Sequence, residues 1–192
     1  KLNYVAGMKG VIVFCFFLIT TRHAAAQVKL PQIIRDSMVL QRDTKVMIWG
    51  WASKEEKVHV QFKGKTYKTV AGKSGDWKLE LAPMEAGGPY SMTISGKNKI
   101  VLHDILIGDV WLCAGQSNMV HQMKLHGVRY AREIADANYP EIRQFWIPNT
   151  ADLQGPQKDL KAGNWKWANP ADVKEFSAVA YFFAKKLYEN HH

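Results

Sequence analysis

The segment Gly108-Asp-Val-Trp-Leu-Cys-Ala-Gly-Gln-Ser-Asn-Met119 decides how this fold is interpreted. It completes a nearly continuous apolar run over residues 105–114, which is typical of a strand buried on both faces of an α/β sheet. The run ends at a glycine-led turn that carries Ser117. A serine in this place is either a nucleophile at the mouth of an active site or a residue that caps the following helix.

Upstream of this run, apolar and polar side chains alternate in short segments, as they do in half-buried strands. The apolar positions are Val46 and Ile48; Val58, Val60 and Phe62; Trp77, Leu79 and Leu81; Tyr90, Met92 and Ile94; Ile100 and Leu102. Turn signals separate the segments at residues 63–65, 73–76, 87–89 and 95–98. Short strands with regular turns predict a β-sandwich domain over residues 27–103.

Downstream, residues 104–192 predict the first, incomplete part of an α/β domain. A helix is expected within residues 128–137, a second strand over 142–147 and a long polar loop over 149–175. A further amphipathic helix is expected near the end, with Lys185 and Lys186 placed favourably for its dipole. The apolar positions of that helix are Phe176, Val179, Phe183 and Leu187.

The first 26 residues predict a signal peptide rather than a part of the fold. Lys9 precedes a short apolar run, and Ala24-Ala25-Ala26 supplies a cleavage pattern before Gln27. The run is about half of the roughly 20 residues that a membrane-spanning helix needs, so no permanent membrane anchor is expected. A secreted or periplasmic protein is the resulting expectation.

Charge and cysteine content argue against a nucleic-acid-binding protein and against one held by an internal disulfide. The chain carries a formal charge of +9, which falls to +6 without residues 1–26, and its lysines are scattered rather than clustered. A nucleic-acid partner is therefore not expected. Cys15 lies in the predicted signal peptide, so Cys113 is alone in the mature chain and is expected to be a buried residue of the core strand.

The turn at Ser117 suits acyl-transfer chemistry but does not require it. Gly115 permits a sharp turn, and free N–H groups at the start of a helix can hold a developing oxyanion. A serine is equally a common helix N-cap, and from these few residues alone the cap is the favoured interpretation.

Resemblance to a known family changes that balance. Residues 108–119 resemble the first block of the SGNH-hydrolase superfamily, in the form carried by the sialate O-acetylesterase family. Residues 30–52, 75–111 and 176–187 also resemble segments of that family, so the likeness covers essentially the whole mature chain. The implied fold is α+β and multi-domain, with an N-terminal β-sandwich followed by the first part of an SGNH-type α/β (flavodoxin-like) hydrolase domain.

The resemblance implies a role for each residue of the turn. Ser117 becomes the nucleophile, while Gly115, Gln116 and Asn118 become oxyanion and turn residues. The implied reaction removes O-acetyl groups from sialic acids or related sugars through a serine acyl-enzyme, with no metal and no organic cofactor. Families that deacetylate xylan or pectin use similar serine motifs, so the substrate sugar stays open.

The family's catalytic aspartate and histidine have no counterpart in the sequence. No aspartate is followed by histidine three residues later, and Glu189-x-x-His192 lies at the very end of the predicted helix. His103, His121 and His126 are expected to be surface or packing residues. We therefore expect an N-terminal portion that is inactive alone, a non-catalytic glycan- or partner-binding protein, or a half-domain that a second chain completes.

Tryptophans supply the remaining candidate site. Trp165 and Trp167 lie in the predicted polar loop and are candidates for a substrate rim. Trp77, by contrast, alternates with leucines and is expected in the core.

Overall fold

The computed structural model describes residues 27–148, 151, 153 and 155–191. The predicted signal peptide lies outside these residues. Two groups of secondary-structure elements are present, one before and one after Asp109, and each surrounds its own cluster of buried side chains.

Two β-sheets form the first group. Their strands are β1 (Val39–Gln41), β2 (Val46–Trp51), β3 (Lys57–Phe62), β4 (Lys65–Val70), β5 (Asp76–Leu81), β6 (Gly87–Ser95) and β7 (Lys99–Gly108). One sheet has the order β1-β7-β6-β3-β4, and the other pairs β2 with β5. Only β1 and β7 run parallel among these described pairs.

Both sheets contribute to one hydrophobic core, which confirms the alternation seen in the sequence. Ile48 and Trp77 of the smaller sheet share this core with Val60 and Ile94 of the larger one. Burial of such side chains is worth roughly 1.5–3 kcal/mol each, and it explains why the period of two located these strands correctly.

The turns of this group are confirmed with one exception. The two residues Lys63 and Gly64 join β3 to β4 with φ of 46° and 73°, which suits the right-handed twist of a two-residue hairpin. The predicted turn at 87–89 is wrong, because these residues open β6. Pairing with β7 shifts register between Gly87 and Tyr90, so the glycines and proline mark an irregular strand start rather than a chain reversal.

The second group mixes short helices with a small antiparallel sheet. Its elements are α1 (Ser117–Val120), a 3-10 helix (Met123–His126), α2 (Ala131–Ala135), β8 (Tyr139–Phe145), β9 (Trp165–Ala168), a 3-10 helix (Val173–Glu175) and α3 (Ala178–His191). The helix expected within 128–137 is confirmed as α2, and the strand expected at 142–147 exists but starts and ends earlier. The loop expected over 149–175 is wrong for residues 165–168, which pair with β8.

The terminal helix is confirmed, but its buried face is not the predicted one. Phe176 is buried before the helix begins, and Val179 and Phe183 are exposed. Ala178 and Tyr181 face the core instead. Apolar residues occur on more than one side of this helix, so spacing alone could not determine which side packs inward.

Hydrogen bonds join the two groups. The Arg143 guanidinium donates to the backbone carbonyls of Ser37 and Asp104 and, at 2.8 Å, to the Asp104 carboxylate. Trp165 donates its indole N–H to the Ile33 carbonyl at 2.9 Å. The described helices include none with the length and apolar character needed to cross a bilayer.

Candidate active site

The segment that leads to Ser117 leaves the sheet earlier than the sequence predicts. β7 ends at Gly108, and residues 109–116 form no strand. Arg42 holds the beginning of this segment through Asp109 at 2.8 Å, and Gln41 accepts the Val110 N–H at 2.8 Å. The expected doubly buried strand is therefore wrong beyond Gly108, because the described residues supply no neighbouring strand for it.

Cys113 is exposed, which corrects the expectation of a buried core residue. It lies within the same unpaired segment as Leu112, whose side chain is also exposed. The physical cause is shared: a strand buries its side chains only where neighbouring elements cover its faces.

Ser117 is the first residue of α1 and is exposed. The N-cap position belongs to Gln116, and no side chain caps this helix. Ser117 accepts the His121 N–H through its backbone carbonyl at 3.1 Å, whereas its hydroxyl has no hydrogen-bond partner among the described residues. The capping interpretation is therefore wrong, and the hydroxyl is free to meet a ligand.

Gly115 leaves little room for a side chain. A Cβ atom built on it would lie 3.0 Å from Cβ of Met119, one turn later. Gln116 and Asn118 flank the serine at exposed positions. The assignment of these three residues to an oxyanion hole stays a prediction.

The short helix α1 is anchored to the start of α3. Ala178 donates its N–H to the His121 carbonyl at 2.8 Å, and Met123 donates to Phe176 at 3.0 Å. The Ser177 hydroxyl lies 3.5 Å from Sδ of Met119. Ser117 thus lies at one end of a helix whose other end is fixed by backbone pairing.

Ser177 is a further structural residue that the sequence analysis missed. It is buried, and its hydroxyl accepts the Ala180 N–H at 3.3 Å, so it caps α3. Its own N–H donates to the Gln144 side chain at 3.0 Å. A serine immediately before the apolar helical pattern was the available signal for this cap.

The three candidate histidines contact groups other than the Ser117 hydroxyl. Nε2 of His126 lies 3.3 Å from Nδ1 of His121, and the His126 ring contacts Tyr130 edge-on. His103 pairs with Ser91 on the first group of strands. No hydrogen bond joins the Ser117 hydroxyl to a histidine ring in the described part of the chain, and no group of three or more potential ligands there is arranged to hold a metal ion.

The two candidate rim tryptophans differ in environment. The Trp165 ring is half-buried against the first core and meets Phe145 edge-on at 5.5 Å, and its indole N–H is already bonded. Trp167 is exposed. Of the two, Trp167 has the surface that a sugar could contact.

A charged cluster stabilises the helices behind the site. Glu133 of α2 accepts hydrogen bonds from Tyr181 and Lys185 of α3. Burial alone would raise the pKa of Glu133, but the bonds from Lys185 and Tyr181 outweigh it and lower that pKa. Burial and the bond to Glu133 raise the pKa of Tyr181, so its hydroxyl stays a donor. The cluster joins α2 to α3 rather than serving Ser117.

Two surface depressions of the second group lie outside the serine turn. Two open depressions of about 440 and 540 Å³ are lined by residues between 124 and 135, with Pro170 and Lys174 added in the first. Ser117 lines neither of them. Ser117 therefore lies outside these two depressions, at an exposed position.

Comparison with known proteins identifies the relatives of this chain, although no family model matches it. It is 31% identical over 201 residues to the sialate O-acetylesterase of Homo sapiens and 30% identical over 200 residues to that of Rattus norvegicus. These matches cover 93% and 94% of this chain. The resemblance to sialate O-acetylesterases is confirmed.

The solved structure of a carbohydrate acetylesterase from Xanthomonas citri agrees with this relationship. It matches 85% of the chain with 39% identity and a TM-score of 0.81. The chain spans 38% of the human sialate O-acetylesterase, 36% of the rat protein and 37% of the Xanthomonas citri structure. Each of these esterases is thus more than twice as long as the part that this chain matches.

Proposed function

We propose that this chain is the N-terminal portion of a serine carbohydrate esterase that removes O-acetyl groups from sialic acids or related sugars. The observation that carries the proposal is the exposed Ser117 hydroxyl, which has no hydrogen-bond partner among the described residues. It stands in a chain similar over 93% of its length to sialate O-acetylesterases. Because the Xanthomonas citri relative is a carbohydrate acetylesterase, acetylated polysaccharides of the xylan or pectin type are the alternative substrates.

The reaction follows from the chemistry of a serine nucleophile. Oγ of Ser117 attacks the acetyl carbonyl, the sugar oxygen leaves with a proton, and water then releases acetate from the acyl-enzyme. A histidine base and an aspartate that orients it are required. Since the rings of His103, His121 and His126 contact other residues, we assign both groups to the remaining part of the esterase fold.

The architecture is proposed on the same basis. Residues 27–103 constitute a β-sandwich, supported by two sheets that share one core. Residues 104–192 constitute the first part of an SGNH-type hydrolase domain, supported by the second core cluster around α2 and α3. Residues 1–26 act as a signal peptide, so the protein is secreted or periplasmic.

A chimera tests the function. This chain replaces the matching part of the Xanthomonas citri acetylesterase, and acetate release is measured with O-acetylated sialic acid and acetylated xylan. We expect activity with Ser117 intact and a loss of about 10⁴-fold or more in Ser117→Ala, as for other nucleophile deletions. Ser74→Ala, which changes an exposed serine in a distant turn, is the matched control and should retain activity.

Two results would contradict the proposal. Equal acetate release by the chimera and its Ser117→Ala variant would show that another group is the nucleophile. A folded chimera that releases no acetate from either substrate would remove the esterase assignment.

A further inference from the structure

The outer face of the five-stranded sheet brings together lysines that are far apart in the sequence. Strand pairing aligns Lys68 of β4 with His59 of β3, and His59 with Ser95 of β6. Ser95 in turn pairs with Lys99 of β7. Lys57 lies two residues before His59 on the same strand and therefore on the same face. Because neighbouring strands lie about 4.8 Å apart, the backbones at Lys68 and Lys99 are separated by roughly 14 Å.

The other residues of this surface follow from the same register. Its positions alternate with residues that pack into the first core, so they point away from that core. All of them are exposed or half-buried. We define the basic face as Lys57, His59 and Gln61 of β3, Thr66, Lys68 and Val70 of β4, Ser91, Thr93 and Ser95 of β6, and Lys99, Val101 and His103 of β7.

No position of the basic face is an aspartate or a glutamate. No ion pair within the described part of the chain involves the lysines of this face. At its margins, Asp36 accepts the His103 N–H at 2.7 Å, and Glu55 lies 3.7 Å from Lys54. The positive charge of the basic face is therefore not offset by a carboxylate of the same face.

The outer face of the smaller sheet differs in charge. Asp76, Lys78 and Glu80 of β5 point to solvent there, so both signs alternate along one strand. Lys45 of the neighbouring segment pairs with Glu80 at 3.2 Å. Mixed charges are enough to solvate a sheet face, whereas a face of one sign creates a field that attracts an oppositely charged partner.

We infer that the basic face binds an acidic polysaccharide, whose sugar units carry carboxylates. Charge complementarity supplies the attraction, because lysine ammonium groups are compact point charges that pair with carboxylates. Hydroxyl and amide side chains between the lysines, such as Thr93 and Gln61, can bond to sugar hydroxyls. The inference goes beyond the proposed esterase reaction and does not involve Ser117.

The composition of the basic face favours a glycan over other partners. Sites for single-stranded nucleic acids stack bases on aromatic rings and use arginine, and this face carries no Phe, Tyr, Trp or Arg. Anionic membranes are recognised by clusters of about four to eight lysines and arginines, which is more than this face holds. The core of a protein interface is richer in apolar and aromatic side chains.

Titration of this chain with polygalacturonate tests the inference. The fully methyl-esterified polymer is the matched ligand, since it keeps the sugar backbone and lacks the charges. Isothermal titration calorimetry measures both affinities at low and at physiological ionic strength. We expect binding of polygalacturonate that weakens as salt increases, and affinity for the methyl ester that is at least about tenfold lower, because salt and esterification both remove the charge attraction.

Substitutions that remove charge locate the binding surface. Lys68→Gln and Lys99→Gln should each weaken binding about two- to fivefold, as expected for one exposed charge interaction. Adding Lys57→Gln to both gives a triple variant of the face, which should bind at least about tenfold more weakly. Urea unfolding verifies that it stays folded. The matched control removes the same charge from exposed lysines outside the face and should keep at least about half of the wild-type affinity; its substitutions are Lys29→Gln, Lys73→Gln and Lys78→Gln.

A second measurement needs no substitution. Acetylation by an N-hydroxysuccinimide ester, followed by peptide-level mass spectrometry, reports how accessible each lysine is. Polygalacturonate should slow acetylation of Lys57, Lys68 and Lys99 about threefold or more, because a bound carboxylate shields the ammonium group. Acetylation of Lys78 on the smaller sheet should stay unchanged.

The outcomes separate this inference from the proposed function. Absence of binding, equal affinity for the methyl ester, equal losses in the two triple variants, or unchanged acetylation of the face would overturn the glycan site. So would tighter binding of single-stranded DNA or phosphatidylserine vesicles that the triple variant of the face abolishes, because the partner would then be of another class. Ser117→Ala should bind polygalacturonate like the wild type, so failure of the esterase proposal leaves this result intact.

Discussion

The two halves of the molecule treat apolar side chains in opposite ways. In the strands before Asp109, alternate apolar residues such as Val58 and Val60 are completely buried between two sheets. After Asp109, an apolar stretch around Leu112 is exposed. The difference shows that strands close in the sequence can bury alternating apolar side chains between them. A strand that is apolar on both faces is buried only where other elements cover both faces.

A matched pair of leucines offers the strongest test of this comparison. Leu81 is fully buried in the first core, while Leu112 is 87% exposed. Leu81→Ala should reduce the free energy of unfolding by about 2–5 kcal/mol, because it leaves a cavity. Leu112→Ala should change it by less than about 0.5 kcal/mol. Urea unfolding followed by circular dichroism measures both, and equal losses would show that the Leu112 segment is packed in solution.

The bond network of Arg143 tests whether the two halves unfold together. Its side chain is 5% exposed and donates to the backbone carbonyls of Ser37, Asp104 and Pro140 and to the Asp104 carboxylate. Arg143→Leu removes all of these bonds and leaves the Asp104 carboxylate with the Ser37 hydroxyl as a donor. We expect a loss of about 1–3 kcal/mol, since Asp104 itself keeps access to water. Scanning calorimetry should then show two separated transitions.

Arg132→Leu is the control for this substitution. The Arg132 side chain is 95% exposed and pairs with Asp136, so its loss should cost at most about 1 kcal/mol and keep the original transition. Identical calorimetric profiles for the two variants would mean that Arg143 does not couple the halves.

Capping of α3 by Ser177 gives a smaller effect that is confined to the second half. Ser177→Ala removes the acceptor of the Ala180 N–H and should cost about 0.5–2 kcal/mol. Hydrogen exchange should accelerate in the first turn of α3 but not in β3 of the first half. Ser74→Ala, in the turn before β5, is the control and should leave exchange in α3 unchanged. If Ser177→Ala also leaves the exchange rate of the Ala180 amide unchanged, Ser177 does not cap α3.

The smallest expected effect concerns stability at low pH, to which Glu56 contributes in the first half. Burial raises the pKa of Glu56, but the N–H groups of Lys97 and Ser53 outweigh burial and lower that pKa below its ordinary value. The folded state therefore gains stability from Glu56 above the unfolded pKa of about 4.3 and loses it as pH falls through the lower folded value.

Glu56→Gln should consequently flatten the fall of the urea midpoint below about pH 4.3 for the first half. The second half should keep its own acid dependence, because Lys185 and Tyr181 lower the pKa of Glu133 against the opposing effect of burial. The same slope in wild type and Glu56→Gln would show that Glu56 titrates normally in the folded protein.

How much could be predicted differs along the chain for physical reasons. Strands β2, β3, β5, β6 and β7 were located from alternation because each pairs within a few dozen residues. β4 was missed, since its exposed edge position imposes no apolar period on residues such as Lys65 and Lys68. β9 was also missed, because two alternating apolar residues, Trp165 and Trp167, among polar neighbours are too few to distinguish a strand from a loop.

The candidate site divides in the same way. The sequence by itself determined the alternating core, the helix that ends the chain and the serine turn, because each depends on local spacing. Only the tertiary structure decided that the Ser117 side chain does not cap α1 and that Leu112 lies exposed. It also decided which face of α3 packs inward, namely the one with Ala178 and Tyr181 rather than the one with Val179 and Phe183. These outcomes depend on which surfaces meet, and contacts between distant residues leave no periodic trace in one sequence.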